Sequence, residues 1–251
     1  MTDAALPAGR FAERSFSVGH VFNQTFSILT RNLLPFCLVT LIASLPQVLM
    51  DAPRMGAVTP GSTQAALSLA LGGLGAMVLG GISQAAILYA AFDDMRSRPI
   101  DLLYSLRIGL RRLFPLIGVV FLVIIFAGLS AIAFVFPAFI VMTMLYVSVP
   151  VCVVERLGPI KSMGRSARLT KRNRWKIFGL LFSTIIIALV FKFTLAGLGK
   201  TFGGPTIALI VLLLWNTVWN AFQAILTVVT YHDLRVAKEG VDTDQIAAVF
   251  D

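Results

Sequence analysis

The sequence predicts an all-α membrane protein: six spanning helices, with three amphipathic helices lying in the interface. Three observations carry that expectation. The chain is 57% hydrophobic and only 13% charged, about half the charge a water-solvated surface carries. Its apolar residues gather in runs of span length, not in the alternation of a lipid-facing β-strand. Its basic residues fall between alternate runs. Inside hydrocarbon, a continuous run of this kind satisfies its own amides and carbonyls only as a helix.

The first run, Leu33 to Met50, has Pro35 near its start and Pro46 near its end, and a turn-rich stretch from Asp51 to Thr63 follows. The second, Ala65 to Phe92, is long enough to cross with tilt. From Leu113 to Val154 the chain is apolar for 42 residues. That is too long for one span and right for two, hinged near Pro137. The fifth run is Ile177 to Leu198, closed by Gly197, Gly203, Gly204 and Pro205, and the sixth is Thr206 to Thr230.

Orientation follows from the cations. With six spans, 18 of the 21 Lys and Arg residues share one side; Arg54 and Lys200 take the other, and Lys192 lies within a span. The basic side is expected to be cytoplasmic, with both termini there. Met1 to Ser15 contains Asp3, Arg10, Glu13 and Arg14 and has no apolar core. It is expected to be a disordered segment rather than a cleavable signal, leaving the first span to direct insertion. The membrane domain is placed at residues 16–231 and a cytoplasmic tail at 232–251.

A weak repeat precedes each odd-numbered span. Phe16 to Asn32 carries Val18, Val21, Phe22, Phe26 and Leu29 at helical spacing. Ile100 to Leu113 sets Leu103, Leu106, Leu110 and Leu113 against Arg107, Arg111 and Arg112. Pro159 to Arg174 places Ile160, Met163 and Leu169 among basic residues. Such segments are expected to lie in the interface, apolar face down and cations among the headgroups. The alternative is that each extends the start of its span. Three units of interfacial helix plus helical hairpin would give pseudo-threefold order.

Several side chains are candidates for function. The stretch Arg156, Lys161, Arg165, Arg168, Lys171, Arg172, Arg174 and Lys176 is the densest charge cluster. It is either a topology determinant alone or a docking site for anionic lipid, centred on Arg165, Arg168, Lys171, Arg172 and Arg174. Trp175 is expected to anchor at the interface. In the sixth span Asn216, Asn220, Gln223 and Thr227 recur at i, i+4, i+7 and i+11, flanked by Trp215 and Trp219. A carboxamide facing lipid leaves its donors and acceptors unpaired, so this face should turn inward. It serves there either as interhelical hydrogen bonding or as the lining of a polar cavity. In the second span Gly73, Ala76, Gly80 and Gln84 form a small-residue ridge beside Gly72 and Gly81, a packing face from which Gln84 reaches toward the stripe. Lys192, about six residues from the outer end of its helix, is either a functional intramembrane charge or a snorkelling one.

Catalytic chemistry is not expected. The sequence shows no nucleophile–His–acid set, no phosphate-binding glycine loop and no paired carboxylates in a cleft. Asp93 and Asp94, as adjacent residues, are expected in a solvated loop with Arg96 and Arg98. No cofactor or metal is expected: the two histidines, His20 and His232, are too few for a histidine site. Cys37 and Cys152 read as packing residues. The net charge of +9 points to headgroups rather than nucleic acid, since the cations sit between apolar runs.

Gly158-Pro159-Ile160 leads into Arg165-Ser166-Ala167-Arg168-Leu169-Thr170-Lys171 and Arg174-Trp175-Lys176-Ile177-Phe178-Gly179-Leu180. With the tail from Tyr231 to Gly240 and the opening Phe16-Ser17-Val18-Gly19, these segments resemble bacterial proteins of the glycerophosphoryl diester phosphodiesterase membrane-domain type. The resemblance implies a six-helix inner-membrane protein with a lipid-related role. It departs at Ala167, where such proteins often have Trp. The catalytic barrel of the family's namesakes has no counterpart in these residues, so no hydrolase is implied. The expected function is a lipid-associated or partner-organising membrane module. Its expected partners are anionic phospholipids, with a membrane protein or a second copy as further possibilities. The alternative is a transporter or channel for a small molecule or lipid, using the polar face of the sixth span.

Overall fold

The structure is a computed structural model that describes residues 16–51, 63–95, 102–111, 113–133 and 135–239. Among the described residues it is all-helical, without strands. The order is α1 (Val18–Arg31), α2 (Leu33–Asp51), α3 (Thr63–Met95), α4 (Leu102–Arg111), α5 (Leu113–Ala133), α6 (Val135–Leu145), α7 (Ser148–Val154), α8 (Pro159–Thr170) and α9 (Arg174–Glu239). Short amphipathic helices of 14, 10 and 12 residues (α1, α4 and α8) precede the long apolar segments. They fall where the repeat in the sequence puts them.

The 66-residue α9 is two helices in one. Gly204 interrupts it with φ 70° and ψ −176°, a left-handed φ that glycine adopts without the Cβ penalty. Pro205 follows, and the residue before a proline is steered out of the helical region. The break is a reversal. Phe191 and Trp215, 24 residues apart, stack with ring centroids 4.7 Å apart, where a straight helix would separate them by about 36 Å.

Arg174–Leu195 and Ile210–Glu239 are long and apolar enough to cross a membrane, and α1 with the start of α2 makes a third crossing if that bent pair counts as one. That is two or three crossings among the described residues, where the hydropathy runs predict six. The 42-residue apolar stretch is divided into α5, α6 and α7, and within it Phe114–Leu129 and Ala138–Val154 count as shorter apolar helices among the described residues. The side chains of 63–74 and 130–137, in the second run and around the expected Pro137 hinge, lie outside the described residues.

The well-packed core sits at one end of the bundle. It joins the end of α3 (Ala85 to Phe92), α7 (Val151 to Val154) and the second arm of α9 (Ala221 to Leu234), with Phe36 and Leu116 beneath. The other half is open. Phe121, Ile124, Phe126 and Leu129 on α5 and Leu189, Val190 and Phe193 on α9 are exposed, and along Arg174–Leu195 only Ile177, Leu180 and Thr184 are buried.

α1 meets the start of α2 at 89°. Its apolar face, however, turns onto the protein rather than onto lipid. Val21, Ile28 and Leu29 are buried, Phe26 lies over Phe222 at 5.1 Å, and His20 Nδ1 contacts Asp233 Oδ2 at 3.1 Å. The second arm of α9 offers a dry surface that the stripe covers. The corner between α1 and α2 is fixed by Asn32, whose Nδ2 donates to Asp94 Oδ1 at 2.7 Å. Asp93 and Asp94 therefore close α3 as helical residues and not a solvated loop. On α8 the buried face is Ser162, Ser166, Leu169 and Thr170, while Ile160 stays 79% exposed.

Candidate functional site

Apart from the phenols of Tyr89 and Tyr231, the buried polar residues among those described are Ser and Thr. In a helix such a hydroxyl can donate to the carbonyl one turn back, as Thr25 does to Val21, Thr217 to Leu213, Thr227 to Gln223 and Thr230 to Leu226, all at 2.7–2.8 Å. Such groups are nearly self-sufficient. The informative polar groups are those a helix cannot satisfy alone, namely the carboxamides and the ions, and besides the Asn32–Asp94 and His20–Asp233 pairs they gather in two places.

One is the cationic end. Gly158 caps α8 and Pro159 takes its first position, where a missing N–H costs nothing. This sets Arg165 beneath Glu155. The Arg165 Nε donates to both Glu155 oxygens at 2.9 and 3.1 Å, and its Nη2 to Glu239. Arg235 donates from Nε to Glu239 Oε2 at 3.1 Å and from Nη1 to the Tyr231 hydroxyl at 3.2 Å. Tyr231 in turn donates to Glu155 Oε1 at 3.2 Å. The five side chains form a closed, neutral ring. Burial opposes the Arg165 charge, but the two carboxylates outweigh it and raise its pKa. Arg165, grouped by sequence with the lipid-facing cations, is thus held by internal partners.

The remaining cations stay outward. Arg168, Lys171, Arg172 and Lys176 are exposed and Arg174 is half-buried. Lys176 Nζ donates to the Phe16 carbonyl at 2.8 Å, and Lys238 Nζ to that of Arg168. α9 extends to Glu239, so its last turns, from Tyr231 on, are polar helix beyond the apolar stretch. There burial, then Arg172, Lys171, Arg165 and Arg174, hold the Lys238 pKa below its ordinary value. Beneath this corner runs an apolar groove of about 230 Å³, lined by Phe139, Ile140, Thr143, Arg174, Trp175 and Phe178. The Nε of Arg174 is buried and has no partner among the described residues.

The second place is a cavity of about 370 Å³ between α2, α3 and the second arm of α9. Gln84, Asn220, Gln223 and Thr227 line it, with Ser83 and Tyr146. Tyr146 stands beside Thr227 and Thr230. Among the described residues no carboxamide of the three bonds to another, and Gln223 Oε1 is buried without a partner. Asn216 is exposed and outside the lining, and so is Lys192. Gly80 opens onto the space, and a Cβ there would meet nothing within 4 Å. Gly81 instead packs on α5, where a Cβ would come within 2.6 Å of Leu116 Cδ2. The side chains of Gly72, Gly73 and Ala76 lie outside the described residues.

No family model, curated protein or solved structure matches this chain. The chemistry of the two places is therefore the ground for function. Among the described residues no group of three His, Cys, Asp or Glu side chains is arranged to hold a metal. Two features escape a reading of the sequence. Tyr231, Arg235 and Glu239 complete the ion ring, and of its links only Tyr231–Arg235 and Arg235–Glu239 have a local signature, at i, i+4. An aromatic ladder also runs Phe191, Trp215, Trp219, Phe222 and Phe26, with centroids 4.7–5.4 Å apart. Its signal is Trp215, Trp219 and Phe222 at i, i+4 and i+7.

Proposed function

We propose that this chain is a non-enzymatic multi-pass module of a bacterial inner membrane that holds anionic phospholipid at the corner between α8 and α9. In this reading α2, α3, α5, α6 with α7, and the two arms of α9 make six crossings, their basic connectors on the cytoplasmic leaflet. The family resemblance points the same way. The open apolar flanks of α5 and α9 then face lipid, and the polar end of α9 stands in water. A 30-residue helix is about 45 Å long against roughly 30 Å of hydrocarbon, so its last turns must emerge.

The observation that carries the lipid reading is Arg172. It holds φ at 77°, a left-handed backbone that costs a side-chain-bearing residue about 1–2 kcal/mol and glycine almost nothing. Strain retained at an exposed turn is reason to look for a use, and here it keeps a cation beside Arg168, Lys171 and Arg174. A phosphate among these cations puts its acyl chains toward the groove of Phe139, Ile140 and Phe178. The buried, unpartnered Nε of Arg174 is a further donor.

The test separates charge from architecture. Purified full-length protein is titrated with phosphatidylcholine nanodiscs containing or lacking phosphatidylglycerol. At about 1 kcal/mol per cation near the surface, Arg172→Gly should weaken retention of phosphatidylglycerol about fivefold while leaving or raising thermal stability. Arg168→Gln, Lys171→Gln and Arg172→Gln together should weaken it about 100-fold. Unchanged retention in the triple variant ends the lipid reading. Reporter fusions placing Arg168 outside the cell end the topology.

A further inference from the structure

We infer that the cavity between α2, α3 and the second arm of α9 is a binding site for a neutral polyhydroxylated ligand, separate from the cationic corner. Size comes first. About 370 Å³ lies within the range of small-molecule pockets and exceeds by far what one or two bridging waters fill.

Hydrogen-bond supply decides the chemistry. The cavity's threonines are committed: Thr227 donates to Gln223 O, and Thr40 to the Phe36 and Thr217 carbonyls at 3.0 Å. What remains for a guest is three carboxamides, each offering two donors and one acceptor, with the hydroxyls of Ser83 and Tyr146 beside them. One of those acceptors, Gln223 Oε1, is buried with no partner. A guest must therefore both give and receive hydrogen bonds several times within a few ångströms. Hydroxyl groups do so; ketones, ethers and hydrocarbons do not.

Charge is selected against. The lining contains no ionisable side chain other than the phenol of Tyr146, so a charged guest finds no counter-charge there. Gly80 supplies room: it faces the space where a larger residue would fill it. The hydroxyls have two sources, a free polyol or the uncharged headgroup of a hydroxyl-bearing lipid, and the experiment has an arm for each.

In the first arm, radiolabelled sorbitol is dialysed to equilibrium against full-length protein in phosphatidylcholine nanodiscs, with gluconate as the charged counterpart. In the second, native mass spectrometry records neutral lipids retained from the host membrane. Saturable sorbitol binding, at least tenfold weaker for gluconate, assigns the site to a free polyol. A retained neutral hydroxyl-bearing lipid assigns it to a headgroup. In either arm Gly80→Leu should reduce occupancy at least tenfold by filling the space, and Asn220→Leu by removing donors. Phosphatidylglycerol retention at the corner should stay unchanged in both variants, which also reports that they fold. A wild-type protein that binds neither sorbitol nor a neutral lipid overturns the inference. So does gluconate binding equal to sorbitol, or occupancy that both variants leave untouched.

Discussion

At the cationic end Glu155, Arg165, Glu239, Arg235 and Tyr231 each have two side-chain partners and close a ring. In the cavity a few turns away, Gln84, Asn220 and Gln223 share one space and do not bond one another. The first group carries formal charge and is fully paired; the second is neutral and unpaired. Burying an unpaired ion costs far more than burying an unpaired amide, so amides are the better tolerated open valences. The ring is architecture, tying the α7–α8 connection to the end of α9. The cavity is provision for a guest.

The largest way to break this contrast is Glu155→Gln. Arg165 and Glu155 are 22% and 15% exposed, and removing one partner leaves a half-buried guanidinium short of a counter-charge. Breaking a fully buried pair costs about 3–5 kcal/mol; with this residual exposure about 2–3 kcal/mol is expected. Thermal unfolding in detergent should show it as a clear fall in Tm. No change would make the ring a surface ornament.

Gln223→Leu should act in the opposite direction. The carboxamide oxygen is buried without a partner, a penalty of about 1–3 kcal/mol that an apolar side chain of similar volume removes. Ligand-free protein should gain about 1 kcal/mol while sorbitol binding falls, a trade typical of binding sites. Loss of stability instead would mean that Gln223 is already paired, and the contrast with the ring would collapse.

The sequence carried much of the cavity and little of the ring, for a physical reason. Asn220, Gln223 and Thr227 share a helix face, and that periodicity is local. Asn216 has the same phase but stands about 6 Å further along the axis, past the end of the cavity, and spacing alone holds no information about where a cavity stops. The ring joins Arg165 to Glu239 across 74 positions, a pairing no window contains. α1 shows the same limit: its apolar stripe is plain, but whether lipid or Phe222 covers it depends on where α9 comes to rest. The helices themselves were legible, down to the three short amphipathic ones. The break between α5 and α6 falls near the expected hinge at Pro137, but hydropathy does not register the turn at Tyr146 and Val147 that sets α7 apart from α6.

Two adjacent glycines sharpen the boundary of the cavity at smaller energies. Gly81→Ala would drive a Cβ to 2.6 Å from Leu116 Cδ2, and Leu116 is 1% exposed, with little room to retreat. Overpacking of this kind costs about 1–3 kcal/mol, and the lower end is expected for one methyl group. Gly80→Ala meets nothing within 4 Å and replaces a poor helix former by the best one, worth up to about 1 kcal/mol in stability. Neighbours one position apart should thus shift Tm in opposite directions. Matching shifts would mean that the space beside Gly80 is filled.

The smallest effect tests whether the helices around the cavity are held by their own hydroxyls. Thr40 Oγ1 on α2 lies 3.0 Å from the Thr217 carbonyl on the second arm of α9, while also within reach of Phe36 and Cys37 carbonyls on its own helix. Thr40→Val keeps the shape and deletes the bond. Interhelical hydrogen bonds within membranes average about 0.6 kcal/mol, because alternative partners compensate, and here the Thr217 carbonyl keeps its own helical donor. A loss near that value, with sorbitol affinity unchanged, is expected. A tenfold fall in affinity would instead place the α2–α9 contact inside the binding site, and the wall of the cavity would then be part of what the guest assembles.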